Sequence, residues 1–183
     1  MPKEGFPPAA TSCSVSDLIQ KACTTAACAA PNDQKAEVEK LLKETLPKLQ
    51  LDDFEDTPAN QRGYCRKLLY THPSGFFSVL QLKWLPGAET PVHGHNAWGC
   101  VGVVSGKIGC ETYDAAADEP NGVRSNGVIE AGAGAIATVD PNPKGIHRLF
   151  NPTDSVATTI HIYGMDLSEN PCAINVPYGK RSH

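Results

Sequence analysis

Residues 87–106 read GAETPVHGHNAWGCVGVVSG. Within this stretch His93 and His95 are two residues apart, so an extended backbone directs both imidazoles to the same face of one strand. The residues that follow form short apolar runs separated by glycines, a pattern typical of short strands joined by turns. The stretch therefore predicts a β-rich domain in which one strand presents a pair of histidines.

The chain after about residue 62 keeps this β-rich texture. Residues 63–87, GYCRKLLYTHPSGFFSVLQLKWLPG, predict two strands joined by a hairpin turn at HPSG. Further short strands separated by Gly and Pro follow, with no alternation of strands and helices. Such a pattern indicates an all-β barrel or sandwich. We expect a single domain over residues 14–183, with the barrel at about residues 62–170.

The N-terminal third predicts helices instead. Residues 1–13 are rich in proline and small side chains and predict a flexible tail. Ser16 is the expected N-cap of a helix through Ala29, and residues 34–49 predict a second helix. Helical spacing places on one face of that second helix Val38, Leu41, Leu42, Thr45 and Leu46. We expect residues 14–50 to form a helical cap on one side of the barrel.

A third histidine completes a candidate metal site. His147 lies 52 residues beyond His95, just after the turn-prone PNPKG, and a barrel can bring the two strands side by side. Three imidazoles suit a borderline divalent metal such as iron, zinc, copper or nickel. A single histidine is more often a surface or hydrogen-bonded residue, so the metal prediction depends on the three together.

The spacing of these residues resembles the two metal-binding motifs of the cupin superfamily. The first motif corresponds to Gly87, His93, His95, Gly99 and Gly106, and the second to Pro143, Gly145, His147 and Asn151. The resemblance implies a cupin fold, which is a double-stranded β-helix or jelly-roll barrel. The usual glutamate ligand is replaced by Gly99, so a bound metal would keep its full +2 charge and favour anionic ligands such as a thiolate.

Three segments together resemble the cysteine dioxygenase family of thiol dioxygenases, in particular its bacterial branch. They are TPVHGHNAWG (90–99), GIHRLFNPTD (145–154) and TIHIYG (159–164). Enzymes of this family bind a small thiol at a three-histidine Fe(II) centre and add both atoms of O2 to its sulfur, giving a sulfinate. The resemblance implies Fe(II) as the cofactor, bound by His93, His95 and His147, with a small thiol and O2 as partners.

Thr159, His161 and Tyr163 correspond to the Ser-x-His-x-Tyr motif of the same family. Strand alternation places the three on one face, with successive side chains ~7 Å apart. Such a row can form a hydrogen-bond relay that positions the phenol near the metal. Without the metal motifs, a half-buried strand with a solvated polar face would be the simpler interpretation. The resemblance implies catalytic roles for all three residues.

Arg66 matches the position at which cysteine dioxygenases bind the substrate carboxylate. A guanidinium can bind a carboxylate through two parallel hydrogen bonds. The 3-mercaptopropionate enzymes tend to have glutamine there, and mercaptosuccinate dioxygenase acts on a dicarboxylate. We therefore favour mercaptosuccinate as the substrate, followed by 3-mercaptopropionate or cysteine. Candidates for binding a second carboxylate are Lys67, Lys83 and Arg148, of which Lys67 is the weakest because strand alternation directs it away from Arg66.

Mammalian cysteine dioxygenases crosslink a cysteine to the motif tyrosine. Counting forward from His95 makes Cys100 the counterpart of that cysteine, whereas counting back from Gly106 makes Gly99 the counterpart. We favour Gly99, which would leave Cys100 as a buried small residue on the opposite strand face. A crosslink between Cys100 and Tyr163 stays open as an alternative.

Two other functions fit the same histidines. A three-histidine zinc centre could activate water for hydrolysis, with Glu89 or Glu111 as the nearest carboxylates in sequence. A non-catalytic cupin that binds a metal or ligand is the second possibility. The row from Thr159 to Tyr163 disfavours it, because a binding module needs no such relay.

Composition and charge narrow the class of protein. The formal net charge is −4 without clustered basic residues, so we expect no nucleic-acid partner. The seven cysteines contain no CxxC pair, and the N-terminus lacks an apolar signal region. We expect a cytoplasmic protein with no membrane partner, either a monomer or a weak homo-oligomer.

Overall fold

The computed structural model describes residues 12–52, 57–119 and 121–179. In this part of the chain the helices are α1 (Val15–Cys28) and α2 (Gln34–Thr45), followed by a short 3-10 turn at Leu46–Lys48. The strands are β1 (Cys13–Ser14), β2 (Leu49–Gln50), β3 (Tyr64–Thr71), β4 (Ser78–Trp84), β5 (His93–His95), β6 (Gly99–Ser105), β7 (Lys107–Ala115), β8 (Val123–Gly132), β9 (Ile136–Val139), β10 (Ile146–Phe150), β11 (Ala157–Tyr163) and β12 (Asn175–Pro177).

Helix α1 begins two residues earlier than the sequence predicted. Ser14 is the N-cap, and its side chain accepts a hydrogen bond from the backbone N–H of Asp17. The Asp17 carboxylate accepts one from the Ser14 backbone N–H in return. This reciprocal capping box satisfies two backbone donors at once, so Ser14 and not Ser16 starts the helix.

Helix α2 ends at Thr45, short of the predicted residue 49. Pro47 has no N–H to continue the helical ladder, so the chain tightens into the 3-10 turn. Leu49 and Gln50 then pair in parallel with Cys13 and Ser14. Most of the predicted tail, residues 1–11, lies outside the described residues. At Cys13 that prediction is wrong, because Cys13 is buried and paired with Leu49.

Two five-stranded sheets form the β-rich part of the chain. Their strand orders are β3-β4-β11-β6-β9 and β12-β5-β10-β7-β8, and every neighbouring pair is antiparallel. The predicted hairpin joins β3 to β4. This arrangement confirms the predicted cupin barrel, a double-stranded β-helix with two helices at its N-terminal end. The single-domain organisation over 14–183 stays a prediction.

Strand alternation divides the apolar residues between two cores. On β11, Ile160 and Ile162 pack with the helices, in a cluster that includes the predicted apolar face of α2. Tyr163 lies on the other face of β11, with Leu80, Leu82 and Leu149 in the barrel interior. The helices therefore cover the outer face of one sheet, and its inner face carries Tyr163 among the apolar side chains of the barrel interior. Among the described residues, neither helix has the length and apolar character needed to cross a bilayer.

Candidate metal centre

The structure brings His93, His95 and His147 together inside the barrel. His93 lies directly opposite His147 in the ladder between β5 and β10, and His95 follows on the same face of β5. The ring centroids are 4.7 Å apart for His93–His147, 4.9 Å for His95–His147 and 5.0 Å for His93–His95. One ligand nitrogen from each ring lies within 4.8 Å of the others. All three side chains are buried.

Burial keeps these imidazoles neutral at pH 7. It lowers the pKa of His95 to about 3 and holds the pKa of His147 well below its ordinary value. The pKa of His93 is also lowered, again mainly by burial. Neutral rings keep a nitrogen lone pair, which is the form that binds a metal.

The hydrogen bonds of the three rings differ in a way that points to a ligand. His93 Nδ1 lies 2.9 Å from the carbonyl of Pro91, to which it donates, so its Nε2 lone pair is left for a metal. His147 is hydrogen-bonded to the backbone of Gly145. Both ring nitrogens of His95 are buried without a hydrogen-bond partner in the described part of the chain. A bound ion would satisfy one of them, so the cluster fits a divalent metal of the kind that imidazoles prefer.

A hydrogen-bonded row runs along the inner face of β11. Trp84 Nε1 donates to Thr159 Oγ1 at 2.9 Å, and Thr159 Oγ1 lies 2.7 Å from His161 Nε2. His161 Nδ1 is 3.0 Å from the Tyr163 hydroxyl. Thr159, His161 and Tyr163 are all buried. The predicted relay geometry is present, and Trp84 extends it by one residue that the sequence had not indicated.

The donors and acceptors of this row favour one direction. An indole N–H can only donate a hydrogen bond, so the Thr159 hydroxyl accepts one from Trp84. The same hydroxyl can then donate a hydrogen bond to His161 Nε2. His161 then carries its proton on Nδ1 and donates it to the Tyr163 oxygen. Within this row, only the Tyr163 hydroxyl proton is then left without an acceptor among the described residues. The reverse order would leave the buried Thr159 proton unpaired, at a cost of about 1–3 kcal/mol.

The free end of the row lies beside the histidine cluster. The Tyr163 ring stacks on His95 with 5.8 Å between ring centroids. Burial raises the pKa of Tyr163 to about 12, so the phenol is protonated at pH 7. Burial also holds the pKa of His161 well below its ordinary value, so this ring is neutral. Tyr163 can therefore present a hydroxyl proton next to His95.

Gly99, not Cys100, faces Tyr163. The ladder between β6 and β11 pairs Gly99 with Tyr163, and Cys100 points to the other face of the sheet. The Cys100 thiol lies 3.5 Å from the carbonyl oxygen of Lys35, in the cluster packed against the helices. Burial raises its pKa to about 12. The alternative of a Cys100–Tyr163 crosslink is wrong, because the two side chains lie on opposite faces of the sheet.

Arg66 reaches the same interior from β3. It is paired with Leu82, whose side chain lies in the barrel core. Its Nη1 donates to the carbonyl of Pro171 at 2.8 Å and lies 3.5 Å from the Cys172 thiol. Its Nε is buried without a hydrogen-bond partner among the described residues. Burial is the main cause that lowers the pKa of His93 and His95, and the Arg66 charge lowers both further, so the guanidinium lies near the cluster.

The three candidates for a second carboxylate do not join the cluster. Arg148 follows His147 on β10 and points outward, where it bonds Glu89 at 2.6 Å and Glu111 at 2.8 Å. Lys67 and Lys83 alternate with the inward residues of β3 and β4, so they lie on the outer face of that sheet. This prediction is wrong for all three residues. The same ion pairs direct Glu89 and Glu111 away from the histidines.

Asn175 is a site residue that the sequence analysis missed. It lies directly opposite His95 in the ladder between β12 and β5, so the two side chains share one face. Its Oδ1 is buried without a hydrogen-bond partner in the described ranges. Strand β12 has only three residues, too few for a periodic pattern to reveal it.

A largely apolar cavity of about 520 Å³ adjoins the three histidines on the side away from Arg66. Its lining comes from the inner faces of β6 to β10 and includes Val101, Val103, Ile108, Ile136 and His147. Ile129 also lines it and is 66% exposed, so the cavity reaches the surface at β8. Strands β3 and β9 are opposite edges of one sheet. Arg66 and the cavity therefore approach the histidines from opposite sides.

Comparisons with known proteins find similar barrels at low sequence identity. No model of a known protein family matches the chain. A sugar phosphate isomerase of the cupin superfamily from Silicibacter pomeroyi is 22% identical, with a TM-score of 0.40 over 49% of this chain and 51% of that one. The match thus spans about half of that protein's length.

Two further solved structures cover more of this chain. A Cupin 2 conserved barrel domain protein from Salinispora arenicola is 16% identical, with a TM-score of 0.45 over 62% of this chain and 87% of that one. An oxalate oxidase is 19% identical, with a TM-score of 0.45 over 62% of this chain and 59% of that one. The chain itself has the two-sheet cupin barrel, with a three-histidine cluster suited to a metal inside it.

Proposed function

We propose that this protein is a mononuclear non-haem Fe(II) thiol dioxygenase. It would add O2 to the sulfur of a small carboxylated thiol and release a sulfinate, with mercaptosuccinate favoured over 3-mercaptopropionate and cysteine. The observation that carries the proposal is the convergence of three kinds of group inside one barrel. They are three neutral histidines without a carboxylate, a guanidinium, and a phenol at the end of a buried relay.

The ligand set suits a thiol. His93, His95 and His147 would hold Fe(II) without neutralising any of its charge, which favours binding of an anion. Bound Fe(II) would supply a Lewis acid for the thiolate and the redox chemistry that activates O2. The reaction needs no outside reductant, because the sulfur gains two bonds to oxygen and supplies the four electrons that O2 accepts.

Arg66 would orient the thiol through its carboxylate. The guanidinium lies near the cluster, and its buried Nε has no partner among the described residues. A carboxylate could take a bond from Nε and a second bond from an adjacent guanidinium nitrogen. A charge-assisted contact of this kind would fix the distance between the carboxylate and the sulfur.

Tyr163 would hold a proton at the reacting end of the substrate. Its phenol is protonated at pH 7, and Trp84, Thr159 and His161 fix its position through the buried row. A positioned hydroxyl can donate a hydrogen bond where negative charge develops on oxygen.

The apolar cavity suits the second reactant. O2 is small and apolar, so a largely apolar path through the barrel to His147 would admit it without competing with the thiol at Arg66. The alternative of a zinc hydrolase lacks support from a general base. No carboxylate joins the three-histidine cluster among the described residues, and both nearest candidates are bonded to Arg148.

The test combines metal analysis with oxygen uptake. Metal-free protein is loaded anaerobically with Fe(II) or with Zn(II), and then mixed with mercaptosuccinate, 3-mercaptopropionate, cysteine or cysteamine. We expect oxygen uptake only with Fe(II), and a sulfinate product identified by mass spectrometry. Protein that holds zinc and oxidises no thiol after loading with Fe(II) would overturn the proposal.

A further inference from the structure

The barrel contains two buried polar atoms that the chemistry described so far leaves without a hydrogen bond. Five buried side-chain nitrogen or oxygen atoms lack a partner among the described residues: both ring nitrogens of His95, Arg66 Nε, Arg148 Nε and Asn175 Oδ1. A metal accounts for one nitrogen of His95, and Arg148 lies outside the barrel. A substrate carboxylate accounts for Arg66 Nε. The second ring nitrogen of His95 and Asn175 Oδ1 still need partners, which is unusual for buried polar atoms.

The position of Asn175 places it within reach of a molecule at the histidines. It is paired with His95 across the ladder, and side chains paired in this way have Cβ atoms about 4.5–5.5 Å apart on the same face. The segment leading to it also contacts Arg66, through the carbonyl of Pro171 and the thiol of Cys172. Asn175 therefore joins the guanidinium side of the site to the His95 side.

The Asn175 side chain is not needed to hold its own strand. The backbone N–H of Asn175 donates to the carbonyl of Cys172 at 3.1 Å, and its neighbours in β12 pair with β5 through the ladder. The preceding turn is held by a different amide, because Asn96 Nδ2 donates to the carbonyl of Ala173 at 2.7 Å. A purely structural role is thus assigned to Asn96, and the Asn175 amide is left for a ligand.

We propose that Asn175 is a substrate-positioning residue that hydrogen-bonds a second polar substituent of the thiol while Arg66 binds its first carboxylate. This inference rests on the proposed function and narrows its substrate class. The amide carries both a donor and an acceptor, and rotation by half a turn exchanges them. It can accept from the amino group of cysteine or donate to the second carboxylate of mercaptosuccinate. 3-Mercaptopropionate has neither group and would gain nothing from Asn175.

Thiol binding, measured without turnover, tests this assignment. Fe(II)-loaded protein is titrated anaerobically with each of the three thiols by calorimetry, and the metal content of every variant is measured alongside. The variants are Asn175→Leu, which keeps a similar volume without polar atoms, and Asn175→Asp, which replaces the amide with a carboxylate. Asn96→Ala is the matched control, because it removes an amide from the same region that bonds only backbone.

The expected pattern is a change in selectivity. Asn175→Leu should weaken mercaptosuccinate binding by roughly ten- to two-hundred-fold, the range for losing a hydrogen bond to a charged group. Binding of 3-mercaptopropionate should change less than about twofold, since the lost amide makes no hydrogen bond to it. Asn175→Asp should weaken the binding of mercaptosuccinate further, because the new carboxylate repels the second carboxylate of this thiol. Cysteine should still bind, because its ammonium group attracts the new carboxylate. Asn96→Ala should change the binding affinity of all three thiols by the same factor.

The outcomes separate this inference from the proposed function. If Asn175→Leu changes the affinities for mercaptosuccinate and 3-mercaptopropionate by the same factor, the amide is structural and only this inference fails. Wild-type protein that binds none of the three thiols would overturn both. Loss of metal in Asn175→Leu with unchanged thiol selectivity would assign Asn175 to support of His95 and would also overturn substrate positioning.

Discussion

Gly99 lies directly opposite Tyr163 in the ladder between β6 and β11, and a Cβ atom at Gly99 would stand 2.7 Å from two carbons of the phenol ring. A larger side chain at this position would have to displace the ring. The missing side chain at Gly99 leaves room for the Tyr163 ring, which stacks on His95. The centre therefore combines three histidines with a tyrosine that is close to them.

The first prediction concerns the Gly99–Tyr163 contact. Wild-type protein should show no crosslink to Tyr163, because Cys100 faces the helices. Intact-mass and peptide mass spectrometry should find Tyr163 unmodified, and Cys100→Ser should oxidise thiols at the wild-type rate. Gly99→Cys, in contrast, would place a thiol against the ring and lower metal-dependent turnover. A crosslinked Cys100–Tyr163 peptide pair would have two hydrogen atoms fewer than the two separate peptides. Its detection would contradict the orientation of Cys100 on β6.

The second prediction concerns the metal ligands. His93→Ala, His95→Ala or His147→Ala should each remove most of the bound iron and abolish oxygen uptake, because a three-ligand site tolerates no loss. Circular dichroism should remain close to wild type, since the barrel core is built from Leu, Ile and Val side chains. His72→Ala, on the β3–β4 turn, is the control and should keep full iron content. Full activity in His147→Ala would disprove the ligand set.

The third prediction concerns the relay. Tyr163→Phe removes one hydroxyl and keeps the ring, so iron content should stay constant while turnover falls roughly ten- to a thousand-fold. Thr159→Val should lower turnover in the same direction, because His161 would lose its anchor at Nε2. Tyr70→Phe is the matched control, since the Tyr70 hydroxyl contacts Cys23 outside the barrel. An unaltered rate in Tyr163→Phe would leave β11 a purely structural role.

The fourth prediction concerns Arg66. Arg66→Ala should lower kcat/KM for carboxylated thiols by roughly ten- to two-hundred-fold, the effect of removing a charge-assisted contact. Cysteamine has no carboxylate, so it should be a poor substrate for wild type and lose little in the variant. Arg62 is an exposed arginine nearby and serves as the control. Arg62→Ala should leave kcat/KM unchanged for the carboxylated thiols and for cysteamine. Equal losses for cysteamine and mercaptosuccinate would remove carboxylate binding from the role of Arg66.

The fifth prediction concerns stability against pH. Burial lowers the pKa of His95 to about 3 and the pKa values of His93, His147 and His161 below the ordinary 6.5. Below pH 6.5 the unfolded chain therefore binds more protons than the folded protein, and folding becomes less favourable. Stability should be complete above pH 6.5 and decline as the pH falls toward 3, by up to about 1.4 kcal/mol per pH unit for each histidine.

Urea unfolding of metal-free protein between pH 7.5 and 5 measures that slope. His95→Leu should reduce the slope of the unfolding free energy against pH by the contribution of one bound proton, because the leucine does not titrate. A free energy of unfolding that stays constant over this range in wild type would contradict the neutral, buried state of the histidines.

Local sequence patterns predicted the main helices and strands, with errors of a few residues at the helix ends, and they predicted the grouping of the three histidines. The two-residue spacing of His93 and His95 determines that they share a face wherever the strand lies, because side chains alternate along any strand. The same rule grouped Thr159, His161 and Tyr163. Helical periodicity identified the buried face of α2. Each of these inferences needs only the geometry of one element.

Only the tertiary structure decided which face of each strand points into the barrel and what lies across from it. Alternation separates Arg66 from Lys67 and His147 from Arg148, but inward and outward depend on how the sheets pack. The partners Gly99–Tyr163, Trp84–Thr159 and Asn175–His95 join residues 64, 75 and 80 positions apart in the chain. Their contacts depend on strand register and sheet closure, which the whole barrel determines and no local pattern encodes.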